Sequence, residues 1–68
     1  MNTLKRDLYR ALYTNYQAKK DKALFQLNLA FENPVAIGEH PQHLEEINKL
    51  LNKIAEAKDK MEALEAFE

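Results

Sequence analysis

The chain has 68 residues, a formal net charge of −1 and no cysteine. This length allows one domain at most, and a single hydrophobic core of that size is marginally stable. The lack of cysteine excludes disulfides and thiolate zinc sites, so association between copies is the ordinary source of additional stability.

The first predicted element is a long helix at about residues 3–32. Neither Gly nor Pro occurs between Met1 and Phe31, and the helix formers Ala, Leu, Lys, Arg and Gln are frequent there. Asn2 or Thr3 can cap this helix, because a short polar side chain accepts hydrogen bonds from the free N–H groups of the first turn.

The apolar residues of this helix form two stripes at helical spacing. The main core face comprises Leu8, Leu12, Tyr16, Ala23, Leu27 and Ala30, widened by Tyr9, Tyr13, Leu24 and Phe31. The second stripe, on nearly the opposite side, comprises Leu4, Ala11, Ala18, Phe25 and Leu29. A helix with one partner needs only one apolar face, so the second stripe predicts a further interface.

A loop is predicted at residues 33–40. Pro34 disfavours helical geometry at the residue before it, and Gly38 tolerates backbone angles that end a helix. Val35 and Ile37 are apolar in this otherwise polar segment. We expect them to fold back and cover the end of the helix pair.

A second helix is predicted at about residues 41–67, with Pro41 at its first position. Its a and d heptad positions are Ile47, Leu50, Ile54, Ala57, Met61 and Leu64, with Leu44 and Leu51 beside them. The two helices are similar in length and can pair along their whole extent. The predicted fold class is therefore all-α: one domain, residues 1–68, forming an antiparallel helical hairpin that assembles into a homodimeric four-helix bundle.

Self-association is the first functional hypothesis. The chain is expected to be a non-enzymatic interaction module that forms a homo-oligomer, with a dimer as the simplest state, although a larger protein could dock on the same surface. The residues expected to carry self-association are Leu4, Ala11, Ala18, Phe25 and Leu29 in the first helix and Ile47, Leu50, Ile54, Met61 and Leu64 in the second.

The charges are divided unevenly along the chain. Residues 1–30 contain six basic and two acidic residues, whereas residues 31–68 contain nine acidic and four basic ones. One explanation is that the basic helix pairs with the acidic helix, within the hairpin or across a dimer. The alternative is a nucleic-acid-binding accessory domain, whose candidate residues are Arg6, Arg10, Lys19, Lys20 and Lys22.

Three tyrosines, Tyr9, Tyr13 and Tyr16, follow one side of the first helix. The usual interpretation is that they lie at the edge of the core, with buried rings and hydrated hydroxyl groups. Under the nucleic-acid hypothesis they would instead be exposed, so that bases could stack on their rings.

Catalytic chemistry has little support in the composition. The chain contains no serine, no cysteine and one glycine, so it lacks the usual nucleophiles and any Gly-rich phosphate loop. His40 and His43, with Glu39 and Glu46 nearby, are the one cluster with metal-ligand character, but the spacing provides no third well-placed ligand. We therefore expect no enzymatic activity, no metal and no cofactor.

The hydropathy pattern also bears on location. No apolar run approaches the length of a signal-peptide core or a membrane span, so we expect a cytoplasmic protein without a membrane partner.

The segment from Asn33 to Pro41, followed by Leu44-Glu45-Glu46-Ile47, resembles small helical accessory proteins of tailed phages, including those associated with the UvsW recombination helicase. The resemblance covers roughly residues 30–64. It implies a phage-encoded accessory domain linked to DNA repair or recombination, with no catalytic residue to carry over, since this chain contains no helicase motif.

Overall fold

The structure, a computed structural model, describes residues 2–32 and 41–67, and the side chains of residues 2–32 and 44–67. It contains two helices, α1 (Thr3–Glu32) and α2 (Pro41–Phe67), which pack against each other. No strand occurs within these ranges. The predicted all-helical hairpin is therefore confirmed, while the predicted loop at 33–40, with Val35 and Ile37, lies outside the described residues.

Asn2 caps the start of α1. Its side-chain Oδ1 accepts a hydrogen bond of 2.8 Å from the backbone N–H of Leu4, and its carbonyl accepts the backbone N–H of Arg6 at 3.1 Å. The side chain thus satisfies one of the N–H groups that a helix start leaves without an intrahelical partner. Of the two capping residues considered from the sequence, the structure selects Asn2.

The two helices run antiparallel. The Tyr13 hydroxyl near the start of α1 donates a hydrogen bond to Glu65 near the end of α2, and the Lys5 ammonium lies 5.6 Å from the centre of the Phe67 ring. The hairpin measures 54 × 15 × 12 Å, and its radius of gyration is 15.9 Å. A compact domain of this length has a radius of gyration of about 11 Å, so the molecule is a rod with a thin core.

Each helix contributes a narrow seam to that core. The front seam of α1 consists of seven buried or half-buried residues at alternating spacings of four and three: Tyr9, Tyr13, Tyr16, Lys20, Ala23, Leu27 and Ala30. Leu12, which is also half-buried, lies beside this seam. In α2, all six predicted heptad residues are buried or half-buried. The heptad predicted for α2 is confirmed, and the pattern on both helices is that of a coiled-coil pair.

Several predicted positions differ in the structure. Leu8, Leu24 and Phe31, which were assigned to the main core face, are exposed. A helix with a single partner buries only the residues at a and d positions. Leu24 and Phe31 lie beside that narrow contact, and Leu8 lies toward the outer side of α1. Lys20 was not predicted in the core, yet it is half-buried in the front seam, where a long aliphatic stem can pack while the ammonium group reaches water.

Charge pairing across a dimer stays a prediction, but the pairing expected within the hairpin is not found among the described residues. Their two ion pairs, Lys49 with Glu46 at 3.5 Å and Lys60 with Glu56 at 3.1 Å, both lie within α2. The polar contact that does join the helices is the Tyr13–Glu65 hydrogen bond of 3.0 Å. Exposed ion pairs contribute little to stability, so apolar spacing rather than charge sets the register of the hairpin.

The thin core leaves much surface in water. The accessible surface is 5515 Å², whereas a compact monomer of this mass exposes about 4,400 Å². Nine large apolar side chains are exposed in the described part of the chain: Leu4, Leu8, Leu24, Phe25, Leu29, Phe31, Leu44, Leu51 and Phe67. This set identifies where a partner could contact the hairpin.

Candidate functional site

The second stripe of α1 is exposed along its whole length. Leu4, Phe25 and Leu29 have 75%, 56% and 51% of their surface accessible, and Ala11 and Ala18 are also exposed. These residues lie on the side of α1 that faces away from α2. The stripe predicted from the sequence therefore remains without a partner inside the described hairpin.

The structure shows that this surface is wider than the second stripe. Exposed residues on the outer side of α1 follow alternating spacings of four and three, and we call these eight positions the back seam: Leu4, Leu8, Ala11, Asn15, Ala18, Lys22, Phe25 and Leu29. Leu8 is 59% accessible and extends the apolar end of the surface. Spacings of this kind are typical of a coiled-coil contact, which α1 thus carries on two opposite sides.

The α2 residues expected to carry self-association do not lie on an exposed surface. Ile47, Leu50, Ile54, Met61 and Leu64 face α1 of the same chain and are half-buried or, for Met61, buried. They form the core of the hairpin. Among the residues named from the sequence for self-association, only the five in α1 are exposed.

A second feature is a groove along one side of the hairpin, which we call the lysine groove. It has a volume of about 360 Å³ and is lined by Tyr16, Lys19, Lys22, Ala23 and Gln26 from α1 and by Lys53, Glu56, Ala57 and Lys60 from α2. Ala23 and Ala57 are only 2% and 4% accessible. Because both are small, the longer side chains around them stand above a shallow floor.

Lys60 is the groove residue with the most partners. Its ammonium lies 3.1 Å from Glu56 and 5.4 Å from the centre of the Tyr16 ring. The hydrogen bond to Glu56, followed by the charge of that carboxylate, raises the pKa of Lys60 above its ordinary value. Glu56 and Lys60 therefore largely neutralise each other.

The residues proposed from the sequence for nucleic-acid binding divide into two groups. Lys19 and Lys22 line the lysine groove, whereas Arg6, Arg10 and Lys20 do not. Lys53 and Lys60 of α2 join the groove although they belong to the acidic half of the chain. Sequence reasoning missed them because only the register of the two helices brings them beside α1.

The tyrosines lie at the edge of the core. Tyr9, Tyr13 and Tyr16 are half-buried, and the rings of Tyr9 and Tyr13 stack with centroids 6.2 Å apart and an interplanar angle of 12°. The hydrogen bond that Tyr13 donates to Glu65 stabilises the protonated phenol and raises the pKa of Tyr13. This arrangement agrees with the core-edge interpretation.

Within the described residues, no group of three or more His, Cys, Asp or Glu side chains could hold a metal ion. Neither α1 nor α2 contains a stretch with the length and hydrophobicity needed to cross a bilayer. His40 lies outside the described residues, as does the side chain of His43.

Comparison with known protein families, curated proteins and solved structures finds no match to this chain. Function is therefore inferred from the two surfaces described above.

Proposed function

We propose that this protein is a non-enzymatic interaction module that forms a homodimer through the back seam of α1. The observation that carries the proposal is the continuous exposure of that seam, from Leu4 to Leu29, on the side of α1 opposite α2. A row of large apolar side chains at coiled-coil spacing indicates a surface that a partner helix covers.

The residue pattern of the back seam favours a second copy of the same chain. Its spacings of four and three read the same from either end, and large apolar side chains occupy both ends, while Ala, Asn and Lys occupy the middle. In an antiparallel pair, Leu4 meets Leu29 of the other copy and Leu8 meets Phe25. The seam is therefore complementary to itself under two-fold symmetry.

Lys22 favours the antiparallel orientation over the parallel one. In a parallel pair, Lys22 would face Lys22 of the partner copy inside the seam, and two ammonium groups would be partly desolvated side by side. In the antiparallel pair it faces Ala11, whose small side chain leaves room for the lysine stem.

The size of the excess accessible surface also agrees with one partner for each hairpin. The hairpin exposes about 1,100 Å² more than a compact monomer of its mass. A specific interface buries about 800 Å² on each partner, so a single contact of ordinary size covers most of this excess. Two hairpins joined in this way give a four-helix dimer with the two α1 helices in contact.

Light scattering after size exclusion tests the proposal. The unmodified protein is expected to elute as a dimer, and Phe25→Glu to give a monomer or to lose helicity, because the seam would bury an unpaired carboxylate. Phe31→Glu is the matched control, since Phe31 is similarly exposed but lies outside the back seam. A monomeric wild-type protein at micromolar concentration, or equal effects of the two substitutions, would contradict the proposal.

We also propose that the module is a phage-encoded accessory protein linked to DNA repair or recombination, as the resemblance of the segment from Asn33 to Pro41 implies. Gene order around the coding sequence checks this part of the proposal, and a location away from recombination or repair genes counts against it.

A further inference from the structure

The lysine groove is a concentration of positive charge in a protein whose net charge is −1. Four lysines and one glutamate surround it. Glu56 is engaged by Lys60, whereas Lys19, Lys22 and Lys53 have no acidic partner within ion-pair distance among the described residues. Three uncompensated ammonium groups thus border one groove.

Such an arrangement attracts an anion. Like charges that surround a concave, partly apolar surface focus the electrostatic potential there, and a bound anion removes their mutual repulsion. Lysine acts as a point charge toward phosphate and does not impose the two-pronged geometry of arginine. The groove is therefore suited to phosphate groups and not to the reading of base edges.

The shape of the groove indicates which phosphate-bearing ligand fits. It is an open groove between the two antiparallel helices and has a volume of about 360 Å³. A flexible single strand can place successive phosphates against lysines of both helices, whereas a rigid duplex can contact only the rim. The Tyr16 ring also lines the groove, with the Lys60 ammonium group over it.

We propose that the lysine groove binds the phosphate backbone of single-stranded nucleic acid without sequence preference. Lys19 and Lys22 of α1 and Lys53 of α2 provide the charge, and Ala23 and Ala57 keep the floor open. This site differs from a simple basic face of α1, because Arg6 and Arg10 lie outside it and one of its cations comes from the acidic half of the chain.

Fluorescence anisotropy with a labelled oligothymidylate of about 20 nucleotides tests the proposal, with salt varied from about 50 to 200 mM. In the groove variant, Lys19→Gln, Lys22→Gln and Lys53→Gln are combined. The slope of log affinity against log salt is expected to decrease by about 2, because each lost phosphate contact accounts for about 0.7. Low-salt affinity should fall about tenfold or more.

The control variant combines Arg6→Gln, Arg10→Gln and Lys58→Gln, which removes the same charge outside the groove. Its salt slope should stay close to that of the wild-type protein. An equal loss in both variants, tighter binding of a duplex of the same length, or no binding by the wild-type protein at low salt would overturn the proposal.

Each variant is expected to keep its helices, since Gln has a helix propensity similar to that of Lys. Circular dichroism verifies this. Lys22 also belongs to the back seam, so the oligomeric state of the groove variant is measured in parallel. If the oligomeric state changes, a variant with only Lys19→Gln and Lys53→Gln replaces the triple variant. The slope of log affinity against log salt is then expected to decrease by about 1.4. This design separates failure of the groove from failure of the dimer.

Discussion

The two seams of α1 share one spacing but differ in environment. The front seam contains Ala23, which is 2% accessible, and is covered by α2. The back seam ends in Leu4 and Leu29, and it is exposed from end to end. The comparison shows that apolar periodicity identifies a contact surface but does not say whether the partner belongs to the same chain.

The largest expected difference between the seams comes from placing one charge in each. Leu27→Glu places a carboxylate in the front seam, at a half-buried position outside the lysine groove, and should destabilise the hairpin by about 3 kcal/mol. Ala18→Glu lies in the back seam and should weaken only the association. Circular dichroism at several protein concentrations checks this, because higher concentration restores the helicity of a weakened dimer but not of an unfolded hairpin.

The orientation of the back seams can be determined by cross-linking, since the natural chain has no cysteine. When Leu4→Cys protein carrying a mass tag is mixed with untagged Leu29→Cys protein and oxidised, the antiparallel dimer predicts disulfides between the two variants. A parallel dimer instead predicts disulfides within each variant. Mass spectrometry of the products distinguishes them, and a mixture without preference counts against a defined seam.

A truncation within the covered core should have a moderate effect. Met61 is 8% accessible, and Met61→Ala is expected to lower the free energy of unfolding by about 2–3 kcal/mol through lost burial and a residual cavity. Leu51→Ala, at an exposed position of α2, should cost less than about 1 kcal/mol. Urea denaturation at one protein concentration compares the two, and equal costs would show that the assigned core is wrong.

The smallest expected effect concerns Tyr13 at the edge of the front seam. Its pKa is raised in the folded protein by the hydrogen bond to Glu65, so this contact stabilises the fold below the ordinary tyrosine pKa and is lost as pH rises through the raised value. The phenolate absorbance of Tyr13, isolated by subtracting a Tyr13→Phe titration, should appear at lower pH in Glu65→Ala. An unchanged midpoint would show that the hydrogen bond is absent in solution.

Much of the fold could be predicted because local signals agree with one another. An uninterrupted helix-forming segment and the clean heptad of α2, from Ile47 to Leu64, define the pairing. The front seam of α1 was harder to assign, since Lys20 occupies one of its positions and the apolar residues Leu24 and Phe31 lie just beside it. Apolar character alone therefore overestimated the width of the buried face.

The lysine groove could not be predicted from the sequence. Lys53 is more than 30 residues from Lys19 and Lys22, and it belongs to a half of the chain with a negative net charge. Only the relative register of α1 and α2 places these side chains around Ala23 and Ala57. The net charge of a segment thus conceals the local charge of a surface that two segments build together.

The position of the groove on one flank of the hairpin has a geometric consequence for the dimer. A two-fold axis perpendicular to the α1 helices reverses their direction and exchanges the copies, but it leaves each flank facing the same way. Both grooves of the proposed dimer therefore open on a common side. A single-stranded nucleic acid long enough to reach from one lysine groove to the other meets the second groove at high effective concentration. Long oligonucleotides should therefore bind far more tightly than short ones, by more than the difference in length alone implies.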